Sequence, residues 1–162
     1  MIGNDVIDLK LAKLESNPFR KGYLEKTCTI REQDYIRKHP YPEFAFWVLW
    51  SRKEAVYKIL LQQGRLRGYY PVRIENICPE SGWVVFLNTV YFTKTFCNGD
   101  SLHTIALRTS DFDSVIELDT SIPLWKKGDI PFMKQGTTWL PVSKSHHGRF
   151  QKIVTQKSIS NS

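Results

Sequence analysis

The feature that most constrains the fold is a single long helical segment, Glu43 to Gln63, with Gly64 as its C-terminal stop. At 100° per residue, Val48, Leu49, Ala55, Val56, Ile59 and Leu60 fall on one arc, and Lys53, Glu54, Tyr57 and Lys58 on the opposite one. Such a stripe must be covered by another layer. Arg52 breaks the pattern by projecting from the apolar arc, so it must snorkel or face a partner subunit.

The period changes on either side of this helix. Met1 to Leu9 reads as a short strand, and Ser16-Asn17-Pro18 is a break in the chain. Arg20 to Lys26 and Thr29 to Lys38 read as short helices, the second opened by Thr29 and Glu32 as a capping box. His39-Pro40-Tyr41-Pro42 ends that segment. Beyond Gly64, Val72 to Ile77, Trp83 to Leu87, Leu102 to Leu107 and Val115 to Leu118 alternate as strands. Thr120 to Thr137 holds prolines, glycines and lysines and reads as a long loop. A final hairpin is predicted from Thr138 to Ser145 and Phe150 to Thr155, turning at His147-Gly148. No internal repeat is present. The expectation is an α+β fold in one domain, residues 1–157, with a frayed tail over residues 158–162.

At 162 residues, 41% of them hydrophobic, the chain can bury a real core. Its longest apolar run, Phe44 to Trp50, is far too short to span a bilayer. Ile2-Gly3-Asn4-Asp5 follows Met1 with no signal-peptide pattern, which predicts a cytoplasmic location and no membrane association. Cys28, Cys78 and Cys97 are odd in number and far apart, so they are expected to be reduced, mostly buried thiols. The net charge of +7 predicts an acidic partner: nucleic acid, anionic lipid, a polyphosphate cofactor or an acidic protein all fit.

The candidate chemistry lies in three segments. Asp5 sits beside Gly3 on the N-terminal strand; alone it reads equally as a turn acid or a surface charge. Asp8, three residues on, points to the other strand face. Glu54 and Lys58 are four apart on the long helix, the spacing of an ordinary solvated ion pair. Trp47, Trp50 and Tyr57 lie near them, which suggests a cleft instead. Magnesium takes one or two carboxylates and completes its shell with water and phosphate oxygens. Asp5 and Glu54 could supply those carboxylates, with Lys53 and Lys58 neutralising phosphate charge. Ser145, His146 and His147 read either as a polar hairpin tip or as a phosphate contact; His39 and His103 are read as structural. No P-loop, GxGxxG, HExxH, GxSxG or RNA-binding aromatic signature occurs.

Taken in order, Ile2-Gly3-Asn4-Asp5, Trp50 to Lys58, and Ser143-Lys144-Ser145-His146 resemble the motifs of the 4′-phosphopantetheinyl transferase superfamily. The resemblance covers about residues 1–64 and 138–154. The serine-histidine segment comes last, as in the small holo-acyl-carrier-protein synthases. The helix with Leu49-Trp50-Ser51 looks more like the large surfactin-synthetase-activating type. Position 7 is Ile, where the large type has a second acid, and Leu49 stands where a basic residue is often found.

The resemblance implies a fold with a long helix packed on a small antiparallel sheet. It implies transfer of 4′-phosphopantetheine from coenzyme A to a serine of an apo acyl carrier protein or carrier domain, as in fatty acid biosynthesis, releasing 3′,5′-ADP. Asp5 and Glu54 would hold Mg2+; Glu54 and Lys58 would be catalytic; Lys53, Lys58, Ser145 and His146 would contact coenzyme A phosphates. A homo-oligomer, with the trimer of the small type as one form it could take, is expected because single-copy members place the site between subunits. The alternatives are a non-enzymatic basic nucleic-acid-binding module and a degenerate member that binds coenzyme A without transfer.

Overall fold

The computed structural model describes residues 1–157, so the tail expected at residues 158–162 lies outside the described residues. The chain opens with strand β1 (Ile2–Asp8) and three short helices, α1 (Leu9–Glu15), α2 (Tyr23–Thr27) and α3 (Ile30–Lys38). The long helix α4 (Pro42–Gln62) follows, then β2 (Ile74–Cys78), β3 (Trp83–Phe86), β4 (Thr89–Asn98) and β5 (Ser101–Leu107). The C-terminal part is β6 (Val115–Leu118), β7 (Trp125–Lys127), β8 (Ile130–Gln135), β9 (Thr138–His147) and β10 (Phe150–Gln156). The strands form two antiparallel sheets, ordered β1-β5-β4-β3-β2 and β6-β10-β9-β8-β7. This is the α+β arrangement the sequence predicts, with a second sheet added to the first.

Helix α4 lies across the first sheet. Phe46 and Leu49 pack with Ile7 and Leu102 at one end. Ala55, Val56, Ile59 and Leu60 pack with Ile74, Val84, Phe86 and Ala106 at the other. A third cluster, Ile2, Ile105, Leu107 and Val154, fills the space between the sheets. Gly64 (φ 63°) ends the helix as expected, with the Arg65 amide donating back to the Leu60 carbonyl at 3.0 Å. Arg52 snorkels within its own chain, donating to the Pro79 carbonyl at 2.6 Å and to Thr95 Oγ1 at 3.4 Å. The Thr29–Glu32 capping box forms as predicted. No helix among the described residues is long and apolar enough to cross a membrane.

Four sequence expectations change. Thr120 to Thr137 is not one loop: it carries β7 and β8, in register through Trp125 opposite Phe132, which faces Pro141 in turn. Its glycines occupy turns, and Pro131 sits near the start of β8, before the pairing with β9 begins at Phe132, which hides the strands from composition. Strand β4, absent from the sequence reading, alternates Tyr91 and Thr93 inward with aromatic and lysine residues outward. Helix α1 also goes unread; Asp8 caps it by accepting from the Leu11 amide at 3.3 Å. Of the three free cysteines, only Cys28 is buried.

Gly3 sets how closely β1 meets α4. A Cβ built there would lie 1.9 Å from the Ala55 carbonyl oxygen, a backbone atom that cannot turn aside. Gly3→Ala should therefore destabilise the fold by at least about 1–3 kcal/mol. The denaturation midpoint measures this; an unchanged midpoint at constant m-value would show that strand and helix can separate freely.

Candidate active site

Strand β1 has one edge paired to β5 by backbone bonds, while its other edge is served by side chains. The Asn4 amide donates to Ser143 Oγ at 2.8 Å, the Val6 amide to Ser145 Oγ at 2.9 Å, and the Asp8 amide to His147 Nδ1 at 2.9 Å. These acceptors alternate along β9, so the serine-histidine segment forms a ladder of side chains against a strand edge. The carbonyls on that edge accept from α4: Lys58 Nζ donates to the Asn4 oxygen at 2.5 Å and Gln62 Nε2 to the Ile2 oxygen at 2.9 Å. Lys58 also donates to the Lys144 carbonyl at 3.1 Å, so one ammonium clamps β1, β9 and α4.

Asp5, Glu54 and Lys58 converge at this seam. Asp5 Oδ1 accepts from Ser145 Oγ at 3.3 Å, whereas Asp5 Oδ2 is buried without a close partner. Burial raises the Asp5 carboxyl above its ordinary value, against the opposing pull of the Lys58 charge. Glu54 is pushed up to about 7, chiefly by burial and then by the Asp5 charge. Burial lowers the Lys58 ammonium, while the charges of Asp5 and Glu54 hold it up. Tyr69, on the segment after α4, packs against Tyr57 and Trp50 at centroid distances of 4.7 and 5.7 Å. Burial first, and then the neighbouring Glu54 charge, raise its phenol far above the ordinary value.

Three buried polar atoms around this point, Asp5 Oδ2, Ser51 Oγ and Tyr69 Oη, make no close hydrogen bond, although Ser51 faces the Asp5 carboxyl and Tyr69 the Glu54 carboxyl. Polar atoms are rarely buried with pairing this loose, and such a place has donor and acceptor capacity left for an ion or ligand. A carboxylate whose proton affinity is raised by burial and by a second carboxylate beside it also suits a divalent cation. The described residues contain no group of three or more His, Cys, Asp or Glu able to hold a metal ion by themselves. Magnesium does not require one, since it keeps several waters and takes phosphate oxygens. The residues present therefore fit a magnesium ion shared with a phosphate ligand.

The structure does not bring every predicted residue to this point. Lys53 is 0% exposed and faces away from Glu54, into the protein. Its three protons go to Glu32 Oε2 (2.6 Å), the Thr27 carbonyl (2.9 Å) and the Pro71 carbonyl (2.9 Å), which leaves none for a phosphate. His146 is exposed on the outer face of β9, because Ser143, Ser145 and His147 take the inner positions. Ser145 reaches the site through Asp5. Asp8 lies apart, held below the usual carboxylate range by the paired hydrogen bonds of Arg149, 2.8 Å to each oxygen. His103 is buried against Asn4, and burial lowers it to about 4.

The sequence motif favours His146 over Ser143 and His147, although residues 143, 145 and 147 share one face at a period of two. Ser51 lies inside the helix motif but the sequence assigns it no role, and Tyr69, beyond the glycine that ends the helix, carries no signal in the sequence. All three motif segments meet within one chain, so no second subunit is needed to bring these side chains together.

A model of the 4′-phosphopantetheinyl transferase superfamily matches residues 1–107. It runs through β5 and includes Asp5, Glu54 and Lys58, but stops short of the second sheet. No curated protein matches the chain. The matched stretch spans most of the sequence and contains the whole of the first sheet with its helix, and the chain belongs to the 4′-phosphopantetheinyl transferase superfamily.

Proposed function

We propose that the protein transfers the 4′-phosphopantetheine group of coenzyme A to a serine hydroxyl of an apo carrier protein, releasing 3′,5′-ADP. The observation that carries this reading is the pair Asp5 and Glu54, one oxygen without a close partner and one carboxyl raised to about 7, with Lys58 beside them. Glu54 would accept the serine proton, and a carboxylate with raised proton affinity is a better base near neutral pH than an ordinary one. The serine oxygen forms a bond to the phosphorus bearing pantetheine, and that phosphorus releases the oxygen of 3′,5′-ADP.

Asp5, oriented by Ser145, and Glu54 would hold Mg2+, which when bound neutralises charge on the diphosphate. Lys58, with two protons fixed on carbonyls, can aim its third at a phosphate oxygen. The net charge of +7 suits both an anionic cofactor and an acidic carrier surface.

Incubation with coenzyme A, Mg2+ and apo carriers from fatty acid, polyketide and peptide synthesis tests the reading by mass spectrometry. One carrier is expected to gain a single phosphopantetheine, and chelation of the metal should prevent the gain. Unmodified carriers throughout would reject the proposal.

A further inference from the structure

A cleft of about 540 Å³ adjoins the cluster between the sheets, bounded by β4 and β5 on one side and by the segment from Phe112 into β6 on the other. His103 lines its base and is only 6% exposed. A chain of hydrogen bonds fixes the tautomer of this ring. The Ser143 hydroxyl accepts from the Asn4 amide at 2.8 Å, and its own proton goes to Asn4 Oδ1 at 2.7 Å. Asn4 Oδ1 is therefore an acceptor, and Asn4 Nδ2 donates to His103 Nε2 at 3.1 Å. Burial lowers His103 to about 4, so near neutral pH the ring is uncharged and carries its one proton on Nδ1. Among the described residues that Nδ1–H has no hydrogen-bond partner, and it is the part of the ring left to face the cleft.

Ile105, Phe112 and Val115 give the cleft an apolar wall, and Lys94, Lys152, Asp113 and Glu117 supply its charges. Lys152 is held by Glu117. Lys94 has no ion-pair partner among the described residues, and its Nζ stands 5.0 Å from the centre of the Phe112 ring. Two ammonium groups against two carboxylates leave the cleft balanced, which disfavours a polyanion such as a nucleotide. A single carboxylate matches the donors that remain. We propose that this cleft binds a monocarboxylate with an apolar body, its carboxylate held by His103 Nδ1–H and Lys94 and its body lying against Ile105, Phe112 and Val115. The buried donor sets the choice, because leaving such a group unpaired costs more than a surface contact gains. The site uses none of Asp5, Glu54 and Lys58, so the inference stands apart from the transferase reading.

The test is an NMR titration of the full chain with benzoate and hexanoate, an aromatic and an acyl acid, each compared with its own amide. At least one acid is expected to bind about tenfold or more tighter than its amide, the worth of one charge-assisted contact. The tighter acid of the two tells whether the body is aromatic or acyl. The His103 Nδ1–H resonance should shift with that acid and stay in place with inorganic phosphate. Lys94→Ala, at an exposed position, should keep the fold and weaken acid binding by about 2- to 5-fold, the scale of an exposed charge pair, with amide binding unchanged. No binding of either acid, equal binding of acid and amide, an unmoved His103 signal, or acids held as tightly by Lys94→Ala would each overturn the inference. None of these measurements involves coenzyme A or a carrier, so their failure leaves the transferase reading untouched.

Discussion

Glu54→Gln should lower transfer by about 10²- to 10⁴-fold, the usual worth of a positioned general base, and leave the fold intact. Glutamine keeps the shape of the side chain and removes both its proton affinity and its charge. The variant also reports on the electrostatics. Because the folded protein holds Glu54 at about 7, it binds more protons than the unfolded chain between the ordinary glutamate range and that pH. Metal-free wild-type protein should therefore lose stability as pH rises through this window, as Glu54 ionises beside Asp5. Glu54→Gln should show a flatter profile and melt higher than wild type at pH 8. Added Mg2+ should raise the wild-type melting temperature at pH 8 and have less effect on the variant. Wild-type turnover in Glu54→Gln would remove Glu54 as the base. Parallel pH–stability curves for the two proteins would remove the raised proton affinity of Glu54, which burial and then the Asp5 charge produce.

Lys53→Met should cost about 3–5 kcal/mol of stability, as expected when one partner of a buried ion pair is removed. Both charges are fully enclosed, with Lys53 Nζ 2.6 Å from Glu32 Oε2. Glu32 accepts four hydrogen bonds, from the Thr29 amide, Lys53, the Asn76 amide and Asn76 Nδ2. It thereby ties α3, α4 and β2 together, and without Lys53 it stays behind as an uncompensated buried carboxylate. Urea denaturation measures the loss. A variant with wild-type stability and weakened coenzyme A binding would restore Lys53 to the phosphate role that the sequence suggests.

Lys53 also shows where reading a sequence stops. Helix α4, its glycine stop, the capping box of α3 and most strands of the first sheet are local patterns, and the sequence displays them. Asp5, Glu54 and Lys58 are readable because three spaced motifs coincide. Lys53 precedes Glu54 and shares its polar arc on a helical wheel, yet a turn of 100° is enough to aim it at α3. Only the partner Glu32, 21 residues earlier, decides that a lysine goes inward. The two histidines pose the same problem at a period of two: a one-residue change of parity exchanges exposed His146 for His147. The β7–β8 hairpin escapes because its strands are short and bounded by the glycines and prolines that announce a loop.

The seam between β1 and β9 has one more consequence. In a backbone ladder every rung is the same chemical group, so no substitution except proline can remove one without disturbing the strand. Here each rung is a different side chain, Ser143, Ser145 or His147, encoded by its own codon. The junction of the two sheets can be loosened or tightened one rung at a time while both sheets stay whole. It is an adjustable joint, and because Asp5 hangs from its middle rung, adjusting it also moves the acid on which the metal would sit.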